Sequence, residues 1–249
     1  MNVGTYKLIA LDMDGTLLNE DKKISDENRE AIQQATALGK TVIMSTGRGA
    51  ISAMPYIEEL GLNTPLVVVN GSEVWESPTK LHKRTLLATE TVRNLHTLAQ
   101  EHDCWWWAYS VDQGVFNRES EQLDIEGQAW LKFGFYTENP EKLQRIRGIV
   151  ENWGILEITN SHPSNIELNP RGISKASGVE MVCQLLGIQM SEVIAMGDSE
   201  NDITMIREAG LGVAMGNAQD EVKRIADVTT VTNEEHAVAK VIRTYMLQD

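Results

Sequence analysis

Two aspartates spaced one residue apart, Asp12 and Asp14, close the apolar run LIAL and are followed by Gly15 and Thr16. Carboxylates so placed can serve as nucleophile, general acid–base or ligands of a hard cation, provided the fold brings them to a cleft. Three further segments carry comparable chemistry. STGR at 45–48 offers the Thr46 hydroxyl, an open backbone at Gly47 and the Arg48 guanidinium. GISKASG at 172–178 puts Lys175 at the start of a predicted helix, where its charge opposes the helix dipole and so has no helix-stabilising purpose. GDSENDI at 197–203 offers Asp198, Asn201 and Asp202. Each segment alone has an ordinary reading as a turn hydroxyl, a solvated lysine or an acidic N-cap. Together they fall at predicted strand ends or helix starts, the place where open α/β sheets bind ligands.

The elements that must position these residues alternate between strand and helix at both ends of the chain. Residues 6–12 and 40–46 read as strands. Between them Ser25 is the expected N-cap of a helix through ENREAIQQATAL, with Gly39 as its stop. A helix over 50–60 closed by Gly61 and a third strand over 65–70 follow. The far end repeats the pattern: helix 175–186 before Gly187, strand 193–198, helix 201–209, strand 211–216, helix 220–226 and a last helix from about 234 to 246. Near-continuous Val/Ile/Leu runs separated by helices imply parallel strands buried on both faces, a doubly wound, mainly parallel Rossmann-like α/β core.

The middle has a different character. All six tryptophans and all three phenylalanines lie between residues 75 and 153. CWWWAYS (104–110) and LKFGFYT (131–137) read as antiparallel strands. Helices are expected over 90–102 after Thr89 as N-cap, and over 141–152 with Pro140 at the first helical position. Residues 83–168 are therefore an expected α+β insertion, leaving 1–82 and 169–249 as one discontinuous domain with hinges near Arg84 and Asn169. Trp105–Trp107 are read as insertion core in preference to a stacking surface. Glu119, Glu121, Asp124 and Glu126 are read as a solvated acidic face, and the ten methionines as packing residues.

Composition removes several function classes. The chain has 249 residues, with a net charge of 22 − 36 = −14. So negative a surface repels phosphate backbones, which argues against a nucleic-acid partner, though not against small anions held in a cleft by fixed cations. No apolar run approaches the roughly 20 residues that span a bilayer, so no membrane role is expected. The opening MNVGTYKLIALD lacks the basic lead and cleavage site of a secretory signal. Cys104 and Cys183 are too few for a disulfide framework or a thiolate zinc site, and the five histidines share no ligand spacing. A reduced, cytoplasmic setting is expected.

The order DxDGT, TGR, lone Lys, GDxxND resembles the haloacid dehalogenase superfamily over essentially the whole chain. The insertion between the second and third motifs is similar to that of the Cof-like phosphatases, which carry a large cap of the C2B type. The resemblance implies that Asp12 is the nucleophile of a phosphoryl transfer and becomes an aspartyl-phosphate. Asp14 is then the acid and base, and its presence favours phosphate over halide chemistry. Mg²⁺ is implied as cofactor, held by the Asp12 carboxylate, the Asp14 backbone carbonyl and Asp198, with Asp202 acting through water or by holding Lys175. Thr46 and Lys175 are the implied catalytic partners of the phosphoryl oxygens, with Asn201 on the phosphate. Gly47, Arg48, Asn70 and Gly71 are further expected substrate contacts. Ala176 stands where many relatives have glycine, a change expected at most to shift the helix start. The expected function is hydrolysis of phosphomonoesters of small metabolites, of the sugar phosphate, pyridoxal phosphate or flavin mononucleotide class, by a monomer or homodimer. A sugar phosphomutase and a non-enzymatic phospho-aspartate switch are the alternatives.

Overall fold

All four side chains of Leu8–Leu11 (β1) are buried, as befits a strand covered on both faces. The computed structural model describes residues 6–112, 114–120 and 123–247. After β1 come helix Asp26–Ala37 (α1), strand Thr41–Met44 (β2) and helix Ala50–Glu59 (α2). The Ser25 hydroxyl caps α1 by accepting from the Asn28 N–H, as its position predicts.

Strands Leu66–Val68 (β3), Glu73–Ser77 (β4) and Lys80–Arg84 (β5) then form a separate antiparallel sheet. This corrects the expectation of a third full parallel strand. β3 meets the core through one parallel bridge, Ser45 with Val67, and pairs antiparallel with β4 along its length. The chain reverses because Val69, Asn70 and Gly71 all adopt positive φ, at 52°, 55° and 97°. A β-branched residue in that region is strained. The Val69 N–H donates to the Arg48 carbonyl at 2.8 Å and its own carbonyl accepts from Asn169 Nδ2 at 2.9 Å, which fixes the turn against the 46–48 loop.

The middle of the chain folds as helix Thr89–Glu101 (α3), strands Trp105–Ser110 (β6), Gly114–Asn117 (β7) and Trp130–Tyr136 (β8), helix Pro140–Trp153 (α4), and strands Leu156–Thr159 (β9) and Asn165–Pro170 (β10). The strands make an antiparallel sheet in the order β7-β6-β8-β10-β9. Thr89 is not the cap of α3: the extended residue is Ala88, and Thr89 already lies in the helix. Helices α3 and α4 cover one face, where Trp106, Phe133, Phe135, Ile146 and Val150 are buried together. Strand alternation sends Trp105, Trp107 and Tyr109 to the opposite face, where they are half-buried. Reading the three tryptophans as one core therefore holds for Trp106 and fails for its neighbours. Glu119, Asp124 and Glu126 are exposed; Glu121 lies outside the described residues.

The chain then returns with helix Lys175–Leu186 (α5), strand Val193–Gly197 (β11), helix Ile203–Glu208 (α6), strand Leu211–Ala214 (β12), helix Asp220–Ile225 (α7), strand Val228–Thr229 (β13) and helix Ala237–Tyr245 (α8). Two helices start later than the sequence suggests. Residues 200–202 form a tight 3₁₀ turn before α6, and a left-handed His236 (φ 59°) separates α8 from the turn at 233–235. The main sheet is parallel, in the order β13-β12-β11-β1-β2. Because β1 lies between β2 and β11, the residues that follow all three emerge at one edge.

Candidate active site

Asp12 follows β1, Thr46 lies two residues after β2, and Asp198 follows β11, so the sheet delivers all three to its carboxyl edge. The glycine of DGT is required here twice over. Gly15 has φ +81°, and a Cβ at that position would lie 2.6 Å from Asp198 Oδ2. Any larger residue would force the Asp198 carboxylate to shift.

Lys175 enters from the start of α5, which the reciprocal bonds of Ser174 and Ser177 cap. Its ammonium is buried, 2.6 Å from Asp12 Oδ1 and 2.7 Å from Asp202 Oδ1. Burial works against its charge, but the two carboxylates outweigh burial and raise its pKa, so it stays protonated. Asp202 has spent both oxygens: Oδ2 accepts from the backbone N–H groups of Asp198 and Ser199 at 3.0 and 3.1 Å. It therefore fixes both the lysine and the Asp198 loop. Burial pushes the Asp12 carboxyl well above the ordinary carboxylate range; Lys175 opposes that, while Asp202 and Asp198 add to it. Asp198 is pushed up to about 7 by burial and by Asp202, with the Ser199 bond opposing.

These carboxylates suit a hard cation. Oxygens of Asp12, Asp198 and Asp202 all lie within 4.8 Å of one another. Asp198 Oδ1 is buried without a hydrogen-bond partner, a costly state that a bound cation relieves. Since Asp202 is occupied by Lys175 and two backbone donors, Asp12 and Asp198 are the side chains suited to ligation.

Asp14 faces elsewhere. Arg48 Nε and Nη2 reach its two oxygens at 2.6 and 2.8 Å, and Lys22 Nζ reaches Oδ1 at 2.9 Å. Partial burial would raise this carboxyl, but the bonds and charges of Arg48 and Lys22 prevail and bring it down to about 2. Arg48 also lies over the Tyr56 ring, 5.1 Å from its centroid.

A cleft of about 370 Å³ opens above these groups. Asp12, Asp14, Thr46, Gly47, Arg48, Asp198 and Asn201 border it, while Lys175 and Asp202 lie beneath its floor. Asn70 and Gly71 are not in its lining. Asn70 donates to Glu167 at 2.6 Å and accepts from Asn201 at 3.4 Å, and Gly71 presses against the Ser174 carbonyl, leaving no room for a Cβ. Both residues therefore sit behind the cleft lining.

The opposite wall comes from the antiparallel sheet and its β9–β10 loop: Trp107, weighed in the sequence as a stacking residue but set aside as core, and Tyr109, Lys132, Ser161, Asn165 and Glu167, which the sequence reading did not single out. Lys132 and Glu167 form a buried ion pair at 3.3 Å. Lys132 also donates to the Gly47 carbonyl at 2.8 Å, and Glu167 accepts from Asn70 and Ser161. A lysine inside the apolar stretch LKFGF was the available signal, since a buried charge in a strand requires a partner.

Fold and site together are those of a hydrolase family: a family model described as haloacid dehalogenase-like hydrolase matches residues 9–129 and 116–242, and the chain belongs to that family. Within it the chain is a phosphatase. It is 47% identical over 97% of its length to 5-amino-6-(5-phospho-D-ribitylamino)uracil phosphatase YcsE of Bacillus subtilis, covering 96% of that protein. It is 31% identical to another B. subtilis protein of the same description, YitU, over 96% of this chain and 97% of that one. Among solved structures, a haloacid dehalogenase-like hydrolase from B. subtilis superposes with a TM-score of 0.88 at 26% identity, covering 95% of this chain and 99% of the other. No helix among the described residues is long and apolar enough to cross a membrane.

Proposed function

We propose that the protein hydrolyses a phosphomonoester of a small metabolite in two steps, with Mg²⁺ as cofactor and Asp12 as the group that is transiently phosphorylated. The observation that carries this reading is the convergence of Asp12, Lys175 and the unpartnered Asp198 oxygen at one sheet edge. A carboxylate oxygen of Asp12 attacks phosphorus and the ester P–O bond breaks; Asp14, released from Arg48 and Lys22 and protonated from solvent before this step, gives that proton to the departing oxygen. Water then attacks the aspartyl-phosphate, Asp14 takes the proton, and phosphate leaves with Asp12 restored. The carboxylates of Asp12 and Asp198 and the Asp14 carbonyl would hold Mg²⁺, which would supply positive charge against the phosphoryl oxygens. Lys175, Thr46 and Asn201 supply the remaining positive charge and donors around phosphorus. The Asp14 carboxylate rests against Arg48 and Lys22; an incoming phosphate competes for both cations and frees it to face the leaving oxygen.

Residues 1–82 and 169–249 make the catalytic unit in this reading, and 83–168 the cap that selects the leaving group. The substrate is 5-amino-6-(5-phospho-D-ribitylamino)uracil, supported by the description of the relative at 47% identity. The acidic surface and two buried free cysteines suit a cytoplasmic enzyme. The test is a phosphate-release screen across phosphorylated metabolites, with Mg²⁺ present or chelated. Release from the ribitylaminouracil phosphate that stops on chelation is the expected result. Turnover unaffected by chelation, or confined to other phosphates, refutes it.

A further inference from the structure

Trp107 lies where the active-site cleft runs out into an open apolar shelf. It borders the cleft beside Tyr109 and Lys132, and it also borders the shelf, formed with Trp105, Val115 and Tyr136 on the same sheet face. The two side chains that follow it inward are committed. Tyr109 carries Lys132 over its ring at 4.8 Å, and its Cε1 lies 3.2 Å from where Gly49 would carry a Cβ. Trp107 is supported from below: its indole packs directly on the β8 backbone at Gly134, where a Cβ would collide with the ring. Trp105 flanks it with centroids 6.0 Å apart and planes tilted by 38°. A bulky ring seated on a glycine and braced at its edge is a fixed platform, and it is only half-buried.

We infer that Trp107 is a specificity-determining residue that stacks on a planar, nitrogen-containing ring in the leaving group. This deepens the proposed substrate reading and rests on it. The phosphate and its polyol chain are placed in the 370 Å³ cleft beside Asp12 and the ring beyond it on the shelf, because Trp107 borders both. Glycine at 134 is what permits this: a side chain there would lift the indole into the space the ring needs.

The test compares two substrates sharing a phosphorylated ribityl chain: 5-amino-6-(5-phospho-D-ribitylamino)uracil and ribitol 5-phosphate. The readout is the ratio of their kcat/KM values in wild type, Trp107→Ala and Trp107→Phe. Ring stacking on an aromatic side chain is worth enough that Trp107→Ala should reduce the ratio about tenfold or more, chiefly through KM of the ring-bearing substrate. Trp107→Phe should restore most of it, which separates stacking from a fold defect. An unchanged ratio in Trp107→Ala overturns the inference, as does an equal loss on both substrates in both variants. A wild type with no preference for the ring-bearing substrate overturns both this inference and the substrate reading beneath it. A wild-type preference that survives in Trp107→Ala overturns the inference alone.

Discussion

Arg48 grips Asp14 at two points, Nε to Oδ2 at 2.6 Å and Nη2 to Oδ1 at 2.8 Å. The proposed acid–base group is thus ionised and turned toward Arg48, while the proposed nucleophile is set against Lys175. Replacing Arg48 by Met should let the Asp14 carboxyl rise from about 2 toward its ordinary value near 4, followed by carbon NMR titration of the metal-free protein. A value still near 2 would show that Lys22 alone holds it. The Asp14 side chain is 42% exposed, so solvent screens the pair and NMR, not stability, is the sensitive readout.

Cation binding should be linked to pH in a defined direction. Asp198 is pushed up to about 7, so folding raises its proton affinity. Its contribution makes the metal-free protein less stable as pH rises from about 4 through 7, because the folded state must then hold a buried charge. A cation takes the place of that proton. Mg²⁺ should therefore raise Tm more at pH 8 than at pH 5.5, and its binding near pH 7 should release protons, measurable by calorimetry in buffers of different ionisation enthalpy. An equal Tm gain at both pH values would contradict the Asp198 assignment.

Lys132 and Glu167 pair within the antiparallel sheet, almost wholly buried, and reach across to the Gly47 carbonyl and to Asn70, so the pair tests the seam between cap and core. Lys132→Met leaves a buried carboxylate without its cation and should cost about 3 kcal/mol, a fall in Tm of roughly 6–12 °C for a chain of this size. Adding Glu167→Leu should recover part of the loss. A single variant as stable as wild type would mean that Asn70 and Ser161 suffice for Glu167.

Gly15→Ala places a methyl group 2.6 Å from Asp198 Oδ2 at a φ that disfavours any side chain. The expected outcome is a large rise in the Mg²⁺ concentration needed for half-maximal activity. Unchanged Mg²⁺ dependence would show that Asp198 tolerates displacement.

The legible parts of this molecule were those where local chemistry and tertiary role agree. Asp12, Lys175 and Asp198 stand at element ends that Val/Ile/Leu runs and caps mark in the sequence, and the structure brings them together. The turn at 69–71 was hidden, because Val69 in a left-handed conformation contradicts its own propensity and is held by Arg48 and Asn169 from distant segments. The cap wall was hidden for a related reason. Trp106 and Trp107 are adjacent and chemically identical, and only strand phase and the glycine at 134 separate core from cleft.

The central claim is that phosphorus passes through Asp12. Its most direct test is rapid acid quenching of the enzyme during turnover, followed by mass spectrometry of the peptide that contains Asp12 and Asp14. A phosphoryl group on Asp12, absent in Asp12→Asn together with all turnover, is the predicted result. Normal hydrolysis by a folded Asp12→Asn protein would contradict the account.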